Sequence, residues 1–243
     1  MIPARLRWTI RRTLVRTRAG RHLWWRSHAR DHELDFWATW FAQRGAAWGE
    51  DYERRMTDAA IDDPLVTSAL DTLHGDEIRI IDVGAGPITR LGTHYPGKAV
   101  TVVAVDPLAR QYDRLLRRFR IEPRLRTIEA EGERLLDRFA PESFDIAYAV
   151  NSVDHSYEPL HVIANMLALV RPGGVVLLRH GRNEGERRRY SGPHQWNFDA
   201  ADGDTLIWNH ATRHSLRDAV GARADVEAWI EGEEVLARVT SRR

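Results

Sequence analysis

The stretch Ile78–Leu91, IRIIDVGAGPITRL, constrains this chain more than any other. An apolar-rich run leads to Asp82 and Val83 and then to Gly84-Ala85-Gly86. That pattern reads as a buried strand running into a glycine turn, and it predicts a helix start directly afterwards. Glycines at the turn let the backbone approach a ligand that a Cβ would hold off. The first N–H groups of the expected helix would point at the same ligand. The turn is a nucleotide-binding arrangement at the edge of an open sheet.

From Ile78 onward the sequence alternates between β-branched runs and helical segments. Strands are expected at Ile78–Val83, Val100–Val105, Leu125–Ile128, Phe144–Val150 and Val175–Leu178. Helices are expected between them, at about Thr89–His94, Ala109–Phe119 and Leu160–Val170. Arg171-Pro172-Gly173-Gly174 marks a turn before the fifth strand. This alternation implies an α/β fold with a parallel sheet covered by helices on both faces. Asp225–Ile230, Glu231-Gly232-Glu233 and Val235–Thr240 read as a closing hairpin. Residues 179–210 are rich in His, Asn, Glu, Gly and Trp and show no clear period, so they are expected to form an irregular insert on the substrate side.

At 243 residues the chain suits one large domain, or one domain with a cap. Pro64 and Gly75-Asp76 mark the approach to the core, so the division is drawn as a basic arm and Trp-rich helical cap at 1–75 and the α/β domain at 76–243. Cysteine is absent, which excludes disulfides and thiolate metal sites. No apolar run is long enough to cross a bilayer. The basic N-terminus lacks the apolar core and cleavage site of a secretory signal. The expected location is cytoplasmic, with peripheral membrane contact left open by the basic arm at residues 1–30.

The net charge of +1 hides a local skew: residues 1–30 carry nine Arg and no Asp or Glu. Leu6, Ile10 and Leu14 draw a narrow apolar stripe along this arm, with Trp8 and Val15 off it. The arm could lie on an anionic membrane or on nucleic acid, or pack as a surface helix on its own domain. Next come Phe36, Trp37, Trp40 and Phe41, at helical spacing, flanked by Trp24, Trp25 and Trp48. This face is read as a structural stripe, or as a cap that gives a substrate pocket an aromatic wall.

Asp106 ends the second strand, where an open α/β sheet holds a ribose by its two hydroxyls. A nicotinamide dinucleotide fits less well. The third glycine of its fingerprint is missing, since Pro87, Ile88 and Thr89 follow Gly86, and Asp82 would repel a pyrophosphate.

The segments IIDVGAGPIT, VVAVDP, EAEGERL, FDIAYAVNSVDHSYEP and LVRPGGVVLL resemble, in order and spacing, the motifs of class I S-adenosylmethionine-dependent methyltransferases. The resemblance covers about Ile78–Leu178. It implies a Rossmann-like seven-stranded sheet, mostly parallel with an antiparallel last strand, and S-adenosyl-L-methionine as cofactor. It places Asp82 and the backbone of Gly84, Ala85 and Gly86 beside the methionine part. Asp106 would take the ribose hydroxyls and Pro107 the adenine side. Glu131 would accept from the adenine amine, Gly132 would offer backbone contacts, and Asn151 would stand near the sulfonium. Pro87 and Glu131 depart from the commoner Gly and Asp.

His155 belongs to an acid–histidine pair after the fourth strand, and His180 follows the fifth. Glu184 and His194 lie in the insert. Together they offer bases and hydrogen bonds where a substrate would sit above the sheet's carboxyl edge. The expected reaction is in-line methyl transfer to a hydroxyl of a small molecule or glycan, with a histidine as base. RNA, a lipid-linked substrate or a non-catalytic binding role are the alternatives. A divalent ion could polarise vicinal hydroxyls, but no tight ligand spacing is visible, so no metal site is assigned.

Overall fold

The computed structural model describes residues 17–57 and 60–242. Its strands are β1 (Glu77–Val83), β2 (Ala99–Asp106), β3 (Ile128–Glu129), β4 (Phe144–Val150), β5 (Val170–Gly181), β6 (Asn197–Ala201), β7 (Asp204–Trp208), β8 (Arg213–Ser215), β9 (Ala224–Glu231) and β10 (Glu234–Ser241). Seven of them form one sheet in the order β3-β2-β1-β4-β5-β10-β9. β10 alone runs opposite to the other six strands of that sheet. The expected sheet, with its antiparallel last strand and C-terminal hairpin, is therefore present.

Helix α1 runs without a break through Arg18–Trp24, a π-helical turn at Trp25–Ala29, and Arg30–Ala42. It is followed by α2 (Gly49–Met56), α3 (Pro64–Thr72), α4 (Ala109–Phe119), α5 (Pro159–Leu169), α6 (Glu184–Arg187) and α7 (Leu216–Val220). Asp63 caps α3 by accepting from the Leu65 amide at 3.0 Å, and Pro64 opens its first turn. The helix then lays Leu65, Val66, Ala69 and Leu70 on one face of the sheet, against Ile78, Ile80, Tyr148 and Leu177. The other face is covered by Val162, Ile163 and Met166 of α5 and by Trp196, Phe198, Ile207, Leu216 and Val220. Trp40 and Phe41 of α1 pack on Ile88 and on Leu116 of α4, so α1 closes the end of the sheet.

Four expectations need correction. No helix follows the glycine turn; residues 87–98 form turns, bends and isolated bridges. Pro87, Gly92 and Pro96-Gly97 oppose a helix there. Arginines from elsewhere satisfy carbonyls that helical bonds would have used. Arg55 donates to the Ile88 carbonyl at 2.5 Å, and Arg124 to the Leu91 carbonyl at 2.5 Å. The third strand lies at Ile128–Glu129 rather than Leu125–Ile128, because only those residues reach Val105 and Asp106. The fifth strand begins at Val170, before the Arg171–Gly174 turn. That turn is a bulge within it, between the pairs Phe144–Val170 and Ile146–Val175.

Residues 179–210 are also more regular than their composition suggests. They hold α6 and the hairpin of β6 and β7, which β8 extends into a second, three-stranded antiparallel sheet. Asp202 and Gly203 turn this hairpin with both φ angles positive, 53° and 72°, a geometry that Asp-Gly adopts readily.

Leu6, Ile10 and Leu14, with Trp8 and Val15, lie outside the described residues. From Arg18 the basic arm is continuous with the aromatic helix. Arg21 donates to the Tyr157 carbonyl at 2.8 Å, pairs with Glu158 and lies over the Trp196 ring. Arg18, Arg26 and Arg30 are exposed. No helix among the described residues is long and apolar enough to cross a membrane.

Candidate functional site

Strands β1 and β2 end side by side, with Val83 paired to Val105, so the glycine turn and Asp106 meet at one edge of the sheet. Gly84 and Gly86 have φ angles of 76° and 67°, the left-handed region that favours glycine. The amides of Gly84 and Ala85 donate to the Val105 carbonyl at 2.8 and 3.1 Å, and that of Gly86 donates to Asp106 Oδ2 at 3.1 Å. The turn's N–H groups are thus used inside the fold, and no helix N-terminus stands behind them.

Two buried carboxyls flank the turn. Asp82 accepts from Thr89 Oγ1 at 2.6 Å. Burial pushes it up to about 6, although Thr89, Arg55 and Arg90 oppose this. Asp106 accepts from Gly86 and, at 2.8 Å, from the Leu108 amide. Burial pushes it up to about 7, and the Glu33 and Asp82 carboxylates add to the shift against those two backbone donors. Pro107 lies next to it, partly exposed.

Helix α1 covers this edge. The Trp37 indole stands where a Cβ on Gly86 would be, with Cζ2 2.7 Å from that position. A Cβ on Gly84 would meet Ser152, whose hydroxyl donates to the Val83 carbonyl at 2.8 Å. Trp37 also packs edge-on against Tyr112. Of the aromatic face of α1, Trp40 and Phe41 are core and Trp37 packs on the glycine loop.

Beyond β3, Glu131 Oε2 accepts from the Tyr157 hydroxyl at 3.3 Å, and the Gly132 carbonyl accepts from Asn165 at 3.1 Å. Glu133, which its sequence context does not single out, is buried. It takes the Tyr157 and Glu158 amides at 2.9 and 3.2 Å, and burial raises it to about 7. Asn151 is exposed, with φ of 46°, and its Oδ1 accepts from the Gly181 amide at 2.9 Å. It joins the ends of β4 and β5.

The four residues singled out as bases converge around one acid, Asp154. His194 Nδ1 lies 3.1 Å from Asp154 Oδ2, and His155 Nε2 lies 3.4 Å from the same oxygen. The two ring nitrogens are 3.1 Å apart. His180, 1% exposed, stacks on Phe198 and places Nδ1 3.6 Å from Asp154 Oδ1, just beyond hydrogen-bond length. Glu184 Oε2 is 3.9 Å from His194 Nδ1 and 3.0 Å from Arg188 Nε.

Glu33 of α1 completes the group, accepting from His155 Nδ1 at 2.8 Å. Burial would lower the His155 imidazole, but Asp154 and Glu33 outweigh it and raise it to about 9. Burial pushes against ionised Asp154 as well, yet the three histidines hold its carboxyl well below the usual range. His155 therefore holds its proton at neutral pH and is no base as it stands. Glu33 was invisible as a site residue because its helix is distant in sequence and reads as an aromatic cap.

The segment His194–Phe198 is what locks the insert onto this loop. The Gln195 amide donates to the Asp154 carbonyl at 3.2 Å, and Trp196 Nε1 to the Ser156 carbonyl at 3.1 Å. Asn197, fully buried, accepts from the Glu186 amide at 2.8 Å and donates to the Tyr190 hydroxyl at 2.9 Å.

A family model described as a methyltransferase domain matches residues 81–178. No protein of curated function matches the chain. Among solved structures, a chain from the complex of the Haloferax volcanii Trm112 methyltransferase activator with a methyltransferase is 15% identical, with a TM-score of 0.53 over 88% of this chain and 98% of that one. An S-adenosylmethionine-dependent methyltransferase from Thermotoga maritima is 15% identical, with a TM-score of 0.50 over 91% and 99%. The CurJ carbon methyltransferase is 13% identical with a TM-score of 0.47, and this chain spans about half, 52%, of its length. At these identities the likeness is one of fold.

Proposed function

We propose that the chain, whose residues 81–178 match the methyltransferase-domain model, is a class I S-adenosylmethionine-dependent methyltransferase that methylates a hydroxyl of a small molecule or glycan. The observation that supports this acceptor is the Asp154–His155–His194 cluster, which Glu33 links to helix α1, the helix that packs on the glycine turn.

The residues at the turn suit an adenosyl group. Gly84 and Gly86 give a turn with no Cβ, packed closely under Ser152 and the Trp37 ring, and Asp106 offers a buried carboxylate to paired hydroxyls. Asp82 lies beside the methionine position, and Pro107, Glu131 and Gly132 border the adenine position. With Trp37 on Gly86, α1 forms the outer wall of the cofactor site. Bound S-adenosylmethionine supplies a methyl group made electrophilic by its sulfonium. The chain's part is to hold the acceptor oxygen in line with that methyl and to exclude water. In such a transfer the acceptor oxygen would bond to that methyl as its bond to sulfur broke. The hydroxyl proton leaves for the Asp154–His194 pair, since His155 already carries one.

Labelled cofactor, offered with a panel of sugars, phenols, alcohols and amines, tests this. The expected outcome is transfer to hydroxyls, lowered about 100-fold or more in kcat by His194→Ala with cofactor affinity unchanged. Transfer to amines alone would overturn the hydroxyl reading. Exposed Arg18, Arg26 and Arg30 favour a second reading, an RNA or lipid-linked acceptor. Binding to RNA that weakens steeply with salt, or to anionic liposomes, would support it.

A further inference from the structure

We propose that Asp154, His155 and His194 form a binding site for a divalent first-row transition-metal ion. Their nearest ligand atoms, Oδ2, Nε2 and Nδ1, are mutually 3.1, 3.1 and 3.4 Å apart. Ligands at about 2.0–2.1 Å from one ion stand about 3.0–3.4 Å from each other, so the three atoms already have the spacing of one face of a coordination shell. Two imidazoles and one carboxylate, with the remaining directions open, suit manganese through zinc better than magnesium or calcium, which take oxygen ligands. His155 and His194 are each 20% exposed at the side chain, so an ion and a further ligand can reach them from solvent.

A further feature belongs to a metal centre. Glu33 holds Nδ1 of His155 at 2.8 Å, which aims Nε2 at the shared point, as an outer carboxylate does for a ligating histidine. Asp154 Oδ1 and both ring nitrogens of His180 are buried without a hydrogen-bond partner, and His180 Nδ1 faces that oxygen at 3.6 Å. These atoms are not among the three ligand atoms, and closing the 3.6 Å gap would pair Oδ1 with His180 Nδ1 without an ion. The ligands come from a turn after β4 and a loop 39 residues later, which is why no ligand spacing showed in the sequence. An ion there would displace any proton on His155 Nε2 and replace the Asp154–His194 pair as the group that eases loss of the acceptor hydroxyl's proton, which would then leave to solvent; that use rests on the methyl-transfer reading, while the site itself does not.

The test uses full-length, untagged protein stripped with a chelator, without cofactor or acceptor, so its failure leaves the methyl-transfer reading standing. Zn2+ and Mn2+ are titrated separately against a chromophoric chelator. The expected result is one ion per chain, bound at low micromolar concentration or tighter, with magnesium far weaker. His194→Ala should weaken binding at least 100-fold. Glu33→Gln should weaken it about 10- to 100-fold, and the exposed His161→Ala should leave it unchanged. Should His194→Ala fail to fold, X-ray absorption of the wild-type zinc complex counts the imidazoles, and two are expected. Millimolar binding only, binding indifferent to His194→Ala, or a shell without imidazole would overturn the site.

Discussion

The indole of Trp37 rests against Gly86, its Cζ2 2.7 Å from the position of an added Cβ. The cap helix and the glycine turn are therefore one packing unit. Gly86→Ala meets both this ring and a φ of 67°, the second worth about 1–2 kcal/mol for a residue with a Cβ. Trp37→Ala removes the ring and should free the turn, speeding cofactor association in stopped-flow measurements. A double-mutant cycle in urea should show favourable coupling of about 1 kcal/mol or more, because the clash disappears when both are changed. Strict additivity would mean that the two groups are not in contact.

Asp106 makes stability depend on pH in a defined direction. Folded, its carboxyl keeps a proton up to about 7; unfolded, it loses it near about 4. Between those values the folded state binds more protons, so this group's contribution is fully present below about pH 4 and is lost as pH rises towards 7. Asp106→Asn should be more stable than the parent at pH 8 and lose that advantage by pH 4. It should also lose affinity for S-adenosylhomocysteine, checked by calorimetry. An Asn variant with the parent's pH profile would contradict the assignment.

Asn151 combines a positive φ of 46° with a side chain that accepts from the Gly181 amide. Asn151→Ala loses the acceptor and adds strain, whereas Asn151→Gly loses only the acceptor. The glycine variant should be more stable than the alanine variant by about 1 kcal/mol. Chemical denaturation of the two variants measures the difference directly.

Tyr148, fully buried on β4, donates to Asp63 Oδ2 at 2.8 Å, and Asp63 in turn caps α3. Tyr148→Phe leaves that buried oxygen with Arg179 at 3.3 Å as its remaining donor. The expected loss is about 1–3 kcal/mol, seen as a lower urea midpoint with an unchanged slope. No loss would show that Arg179 suffices.

The sheet was legible because its signals are local. Ile78–Val83 and Phe144–Val150 are apolar-rich runs broken only by Arg79, Asp82 and Asp145, and strands of that kind are covered on both sides. The glycine turn was legible too, but the conformation of residues 87–98 was not. Whether they coil into a helix depended on Arg55 and Arg124, which reach their carbonyls from other segments. The β6–β7 hairpin did carry a sequence signal, Asp202-Gly203, which the polar composition around it masked.

The candidate bases at positions 155, 180, 184 and 194 could be picked from residue type and strand ends. Their gathering around Asp154 could not, since it is the Gln195 amide and the Trp196 indole that dock the insert on the loop after β4. Sequence by itself determined the strand order's raw material, the glycine turn and the acids beside it, because strand propensity and glycine geometry act over a few residues. Only the tertiary structure decided that α1 lies over that loop and that Glu33 reaches His155. Those contacts join residues far apart along the chain, and side-chain packing in three dimensions, not periodicity, selects them.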